Sequence, residues 1–462
     1  MNDRADIKRT ASTNNSQPAR SDGRLYESDV PNRSEADYSK PISDMQMPKA
    51  VALCPPKRRP IAYQPTFWYG LMMLVLAYLG LMSLLNYNLF GHAVHDSFTL
   101  MAMSWRQGSL SLINGENYPY LELAIHNGNY YVSFPSVPAL IMLPLTFIFG
   151  ENTPNTLMTF IYFMVAYMAA YKTCSVYRKP IEAMCLALFM TLGCNMLQFS
   201  LSGGVWNQGQ LTSFMFTSLF AAGITGRRKS GWAWGLICLA LAVGCRPFQA
   251  VYVPLGLWLL YRKLSKNGGR VRATLLSMIP YLIVPALIAL ALGWYNYARF
   301  GSPIEFGHNY LPEHTRDPNE PMMGFKYIWK NIVNLLRLPE FNENRLEFTN
   351  VQFSGFAFYL ANPIYVTLII TIVLKTVRRK WDIADLLLIA GIVVHLTLLL
   401  MHKTLGGWQF GARYLCDVIP MILFFCVRWR RHTSGWEYPI MIFAIAFNIY
   451  GAACFHLVSG GY

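Results

Sequence analysis

Residues 274–297 read TLLSMIPYLIVPALIALALGWYNY, 24 positions without one charged side chain. About 20 predominantly apolar residues suffice for a helix to cross roughly 30 Å of hydrocarbon, so this run reads as a membrane span. Its flanks give it a direction. Arg270 and Arg272 precede it and Asn296 and Tyr297 close it, and an excess of Lys and Arg marks the cytoplasmic end of a span.

Similar runs recur at about 66–87, 154–176, 182–201, 209–225, 231–247, 248–262, 360–376, 384–402, 413–428 and 437–457. Let the first run inside to outside. Eleven spans then alternate, and every basic cluster falls on the cytoplasmic side: Lys57 to Arg59, Arg178 with Lys179, Arg227 to Lys229, Arg262 to Arg272, Lys375 to Lys380, and Arg428 to Arg431. Pro138–Gly150 is apolar but only 13 residues long. That length suits a helix lying in the outer interface, and counting it as a span would send Arg178 and Lys179 outside. The short runs around Arg246 meet at Pro247 and read as a tilted or broken hairpin. No internal repeat of the transporter kind is visible. The fold class is an all-α polytopic membrane protein.

Composition agrees. Of 462 residues, 54% are hydrophobic, 15% aromatic and 14% charged, where an ordinary soluble protein has about 25% charged residues. Residues 1–60 hold 19 of the 63 charged side chains, so the rest is poorer still. A soluble enzyme, a nucleic-acid binder and a disulfide scaffold are excluded. The net charge of +15 sits between the spans, where its partners are anionic membrane lipids rather than nucleic acid. Nine cysteines form no CxxC pair, and eight of them lie in or beside apolar runs, as packing thiols do. Residues 1–62 are polar and aperiodic and read as a disordered cytoplasmic tail, with no apolar h-region of a cleaved signal. Residues 63–462 form the transmembrane domain, with outer loops at 88–153 and 298–359, in an inner or plasma membrane.

Under this topology the unusual polar residues collect on the outer face. Asp96 follows the first span, and Phe98–Leu112 is amphipathic, as an interfacial helix should be. Glu122, His126, Tyr130 and Tyr131 come next, then Trp206, Asn207 and Gln208. Arg246 and Arg299 sit near the outer ends of their spans. Glu305, His308 and Tyr310 lie in the second loop, and Trp408 and Arg413 open the tenth span. Each also has an ordinary reading. Asp96 suits a solvated loop or a helix N-cap. Arg413 and Asp417 are four apart and suit an i,i+4 pair. His92 and His95 stand near Asp96 at spacings that could hold a divalent metal, although such short-loop clusters are usually coincidental. Arg246 is harder to set aside, because a charge inside an apolar stretch costs at least about 2.5–3.5 kcal/mol unless paired or hydrated.

The string NGNYYVSFPSVPALIMLPLTFIFG at 127–150, behind an acidic residue and an amphipathic helix, resembles the first outer loop of GT-C membrane glycosyltransferases. That family includes protein O-mannosyltransferases and the aminoarabinose transferases of lipid A. LAVGCRPFQAVYVPLGLW, YNYARFGSPIEFGHNY and GGWQFGARYLCDVIP are similar to segments of bacterial members, and the resemblance covers roughly residues 66–430. It implies a GT-C-like bundle that moves a sugar, with inversion, from a polyprenyl-phosphate donor to an extracytoplasmic acceptor, whether glycan, lipid or protein. Asp96 takes the place of the acidic residue that serves as base or positions the acceptor, with Glu122 as a second carboxylate. Arg413, Arg246 and Arg299 take that of the donor-phosphate ligands. His126, Tyr130, Tyr131, Trp206, Asn207, Gln208, Glu305, His308, Tyr310 and Trp408 would line the sugar and acceptor sites. One departure is plain: many members pair two acidic residues here, whereas Asp96 stands between His95 and Ser97. The chemistry needs a carboxylate for the acceptor proton and cations for the departing phosphate; it needs no nucleotide loop, and no Gly-rich phosphate motif occurs. The rival readings are a flippase for a lipid-linked glycan and a non-catalytic subunit that keeps the fold.

Overall fold

The computed structural model describes residues 60–265, 270–312, 320–339, 341–342, 347–348, 352–429 and 432–459. The tail expected over 1–62, apart from its last three residues, lies outside them. So do the cluster Lys57 to Arg59, Cys54, Lys266, Arg430, Arg431 and parts of the loop 298–359.

The chain is helical throughout its spans. In order come α1 (Pro65–Leu84), α2 (Ser97–Arg106), a hairpin of β1 (Leu123–His126) and β2 (Asn129–Val132), α3 (Val137–Phe149), α4 (Asn155–Tyr177), α5 (Pro180–Thr191), α6 (Met196–Ser200), α7 (Val205–Thr225), α8 (Lys229–Val243), α9 (Val253–Leu264) and α10 (Val271–Phe300). Then follow α11 (Lys326–Leu336), α12 (Phe358–Ala361), α13 (Ile364–Val377), α14 (Ile383–Leu400), α15 (Ile419–Trp429) and α16 (Glu437–Ser459). Among the described residues five helices are long and apolar enough to cross a membrane: α1, α4, α10, α14 and α16. The other expected runs fold into shorter or more polar helices. The run 182–201 breaks into α5 and α6. The pair around Arg246 is α8 and α9 joined by a 3-10 turn, Pro247–Tyr252, where Pro247 has no N–H to continue a helix.

In α10 the decisive stretch is one 30-residue helix that carries Pro280 and Pro285. Only 6% of its most apolar window is buried within the protein. Leu276, Ile283, Leu287 and Leu290 point outward, a surface that is stable only against hydrocarbon. The most closely packed helices are α7, α4 and α8. A Cβ on Gly223 of α7 would stand 2.7 Å from the Cα of Gly235 on α8, so two glycines set that close approach.

The helix ends that bear basic clusters meet. Arg178 donates to the carbonyls of Val427 (2.8 Å) and Cys426 (3.2 Å) at the end of α15. Arg428 there pairs with Asp382 at 2.9 Å and Asp385 at 3.3 Å, and Asp385 also holds Lys375 of α13. Asp382 and Asp385 form a capping box on α14, which places two anions where the helix dipole favours them.

The loop between α1 and α3, expected on the outer side, is more ordered than its sequence pattern indicated. The expected amphipathic helix stops at Arg106, and Gly108 turns the chain with φ +77°. The hairpin pairs His126 with Asn129 around Asn127 (φ 50°) and Gly128 (φ 73°), a turn that needs left-handed backbone at both positions. Pro138–Gly150 folds as the 13-residue α3 with Pro144 inside it.

Candidate active site

At the end opposite the basic clusters, the first turns of α7 separate two polar regions. Trp206, Gly209 and Gln210 lie three and four apart, hence on one face, and Gln208 points the other way. Trp206, Gly209 and Gln210 help line a cavity of about 380 Å³. Gln208 donates to Asp96 at 2.8 Å and to the Gly203 carbonyl at 2.6 Å.

The region behind α7 is sealed. Asp96 caps α2, accepting from the Thr99 N–H at 3.1 Å and from the Thr99 hydroxyl, and it is 1% exposed. Burial raises its carboxyl above its ordinary value, against hydrogen bonds from Thr99 that pull it down. It is not among the cavity-lining residues. His92 contacts the Thr153 carbonyl through Nδ1 at 3.1 Å, and His95 packs against Tyr120 and Trp206. Among the described residues no group of three or more His, Cys, Asp or Glu is arranged to hold a metal ion.

On the cavity side the arginines carry the charge. Arg246, at the break after α8, grips Asp417 Oδ2 through Nη2 and Nε, both at 2.9 Å. Gln210 donates to the other Asp417 oxygen at 2.8 Å. The i,i+4 pair between Arg413 and Asp417 does not form, because Tyr414–Val418 is 3-10 and not α, which rotates position i+4 away. Arg413 therefore has no ion-pair partner among the described residues. Its buried Nε has no hydrogen-bond partner either. Its guanidinium lies 5.3 Å from the centre of the Tyr414 ring, with that of Arg246 at 4.7 Å from the same ring.

The backbone of Arg413 is pinned. Its N–H donates to Gln409 Oε1 at 2.6 Å, and its carbonyl accepts from Gln210 at 2.6 Å. Just before it, the Ala412 N–H donates to Asn195 Oδ1 at 3.0 Å, and Asn362 donates to the same oxygen at 2.8 Å. Gly411 has φ +64°, and a Cβ there would sit 2.3 Å from that of Ala361, so only glycine fits.

The remaining lining is apolar or aromatic, with Phe134, Phe248, Met322, Met323 and Leu399, plus His308, His402 and Glu305. Glu305 accepts from the Gly307 N–H at 2.7 Å and from Asn309 Nδ2 at 2.6 Å. Of the other expected site residues, Glu122 accepts from Trp206 Nε1 at 2.9 Å, and Asn207 donates to the Ser202 carbonyl at 3.3 Å. The His126 ring lies 4.3 Å from that of Tyr310, tilted by 50°, and Tyr131 and Tyr310 both flank Phe300. Tyr130 packs on Gly115. Arg299 is not a cavity residue. It is 3% exposed and donates to the Val132 carbonyl at 3.1 Å and to Asn296 at 2.8 Å, riveting α10 to the hairpin. Trp408, 64% exposed, sits on a two-residue strand paired with Phe353 and does not line the cavity. The sequence reading missed His402 and the methionine pair. Of these, only His402 carried a signal, as a polar residue closing an apolar run.

No protein-family model matches the chain, and no curated protein matches it either. Solved structures do. The chain is similar to the Archaeoglobus fulgidus oligosaccharyltransferase tethered with an acceptor peptide (TM-score 0.46, 15% identity, 84% of this chain and 55% of that one). It is also similar to ArnT from Cupriavidus metallidurans bound to undecaprenyl phosphate (TM-score 0.48, 11% identity, 85% and 65%), and to the same protein in the apo state (TM-score 0.49, 10% identity, 86% and 65%). The chain thus spans between 55% and 65% of the length of these solved chains.

Proposed function

We propose that this protein is a membrane glycosyltransferase that moves a sugar from a polyprenyl-phosphate donor to an extracytoplasmic acceptor with inversion. One observation carries the reading: a largely apolar and aromatic cavity bears two guanidinium groups over one tyrosine, and among the described residues only that of Arg246 is held in an ion pair. A lipid phosphate supplies the missing anion for Arg413, since a guanidinium binds phosphate oxygens through a fork of N–H donors. Met322, Met323, Leu399 and Phe248 offer the prenyl end an apolar wall, and Trp206 offers the sugar an aromatic edge.

The division of labour follows from the wiring. Arg246, already paired, fixes the wall and the orientation of Tyr414. Arg413 supplies the net charge that stabilises the departing phosphate. Gln409 and Gln210 hold its backbone, and Asn195 that of Ala412 before it, so little reorganisation is needed in the reaction. Asp96 and Glu122, the carboxylates that the family resemblance puts in the base role, are engaged by Thr99 and Gln208 and by Trp206. The test is incubation of the purified full chain with a panel of polyprenyl-phosphate sugars and acceptors. Acceptor-dependent release of polyprenyl phosphate is expected, while movement of intact lipid-linked sugar across a bilayer without release would replace the reading with a flippase.

A further inference from the structure

We propose that Glu305 takes the proton from the acceptor, a role that rests on the glycosyltransfer reading above. Among the described residues that line the cavity, Glu305 is the one carboxylate. Asp417 is consumed by Arg246 and Gln210, and Asp96 lies behind α7 with its oxygens held by Thr99 and Gln208.

The loop that carries Glu305 is built to aim it. Gly307 has φ +99°, and a Cβ there would meet the Phe300 ring at 2.9 Å and Ala124 at 3.2 Å. Only glycine lets the chain turn back so tightly, and that turn brings the Gly307 N–H onto Glu305 Oε1 at 2.7 Å. Asn309 Nδ2 takes the other oxygen at 2.6 Å. Each carboxylate oxygen has two lone-pair sites, so one bond apiece fixes the plane of the group and leaves a site on each for an incoming hydroxyl. No cation among the described residues forms an ion pair with it. The imidazoles of His308 and His402 face the same cavity, but each meets an aromatic ring at a steep angle, Phe134 at 5.7 Å and Tyr414 at 5.3 Å.

The step balances. The acceptor oxygen forms a bond to the anomeric carbon while the bond from that carbon to the phosphate oxygen breaks, its electron pair staying on the phosphate. The acceptor proton passes to Glu305 and afterwards to water or to the released phosphate.

The experiment uses the full chain in detergent with the donor found active for the wild type. Glu305→Gln is nearly isosteric: its one oxygen can still accept from the Gly307 N–H, and its NH2 can donate to the Asn309 side-chain carbonyl once that amide turns over, but it cannot take a proton. It should transfer about 10²–10⁴-fold more slowly, the usual loss of general-base help, with polyprenyl-phosphate binding and thermal midpoint unchanged. Formate should restore part of the rate of Glu305→Ala, and Asp96→Asn should keep most of its transfer. Wild-type rates in Glu305→Gln would overturn the proposal and leave the glycosyltransfer reading standing. Joint loss of rate and binding without formate rescue would also overturn it, by marking a structural residue. A wild type that releases polyprenyl phosphate from no donor would sink the reading and this proposal together.

Discussion

The two sides of α7 hold similar groups in opposite states. Behind the helix, Asp96 is buried and its oxygens are met by Thr99 and Gln208. In front, Arg413 stands in a cavity with no ion pair among the described residues and an unpartnered Nε. A polar group whose partners are all within the protein holds the fold together, whereas one left with open bonding capacity facing a cavity is available to a ligand. Residue type alone does not separate these cases. Both residues sit at the start of a helical segment in a polar stretch, and only geometry shows which one is complete.

The largest effect should come from breaking the completed pair on the cavity wall. Asp417→Ala leaves Arg246 facing Gln210 and Tyr414 without its carboxylate. Removing one member of a buried pair costs about 3–5 kcal/mol, less here because Arg246 keeps 21% of its side-chain surface accessible. A clearly lowered thermal midpoint is expected, and a variant as stable as wild type would mean that the pair does not hold the wall. Arg413→Ala should do the reverse. Stability should hold, because no ion pair is lost, while polyprenyl-phosphate binding weakens by about the 1.5–3 kcal/mol of a charged hydrogen bond, roughly tenfold or more in titration. Asn195→Ala, which frees the Ala412 N–H, should show a smaller loss of binding of the same sign.

The smallest effect belongs to Asp96→Asn. Burial raises the Asp96 carboxyl, so the folded state keeps the proton to higher pH than the unfolded chain, whose value is about 3.9. Through the window between those two values stability falls as pH rises, because the folded state binds more protons there. The amide can still accept from Thr99 and Gln208 and carries no charge. Thermal midpoints measured against pH should lose that slope in Asp96→Asn and match or exceed wild type at neutral pH. A large drop at neutral pH would show that the charge itself is needed there.

The spans were legible because an apolar run of about 20 residues with at most one charge has few alternatives: 66–87, 154–176 and 384–402 fall within three residues of α1, α4 and α14 at each end. The breaks in other runs were visible only where proline marked them, as at Pro247. The gap between α5 and α6 carries no proline, and its Asn195 is a hydrogen-bonding hub for a loop more than 200 residues away, which no local pattern announces. The hairpin did have a local signal, Asn127-Gly128 between short apolar-polar runs. Of the residues expected at a site, Trp206, Arg246, Glu305, His308 and Arg413 line the cavity, but the groups that hold Arg246 and Glu305 were not legible. Arg246 takes Asp417 across 171 positions, while Arg299 and Arg413, alike in sequence setting, end in packing and in the cavity respectively.

The most direct test of the central claim, that the arginine wall of the cavity receives a lipid phosphate, is equilibrium binding of polyprenyl phosphate to the purified full chain, measured beside Arg413→Ala at matched thermal stability. The wild type should bind saturably and the variant at least about tenfold more weakly, with the difference shrinking as salt screens the contact. Equal affinities would contradict the account, because the cavity guanidinium that has no ion pair among the described residues would then have no part in holding the phosphate.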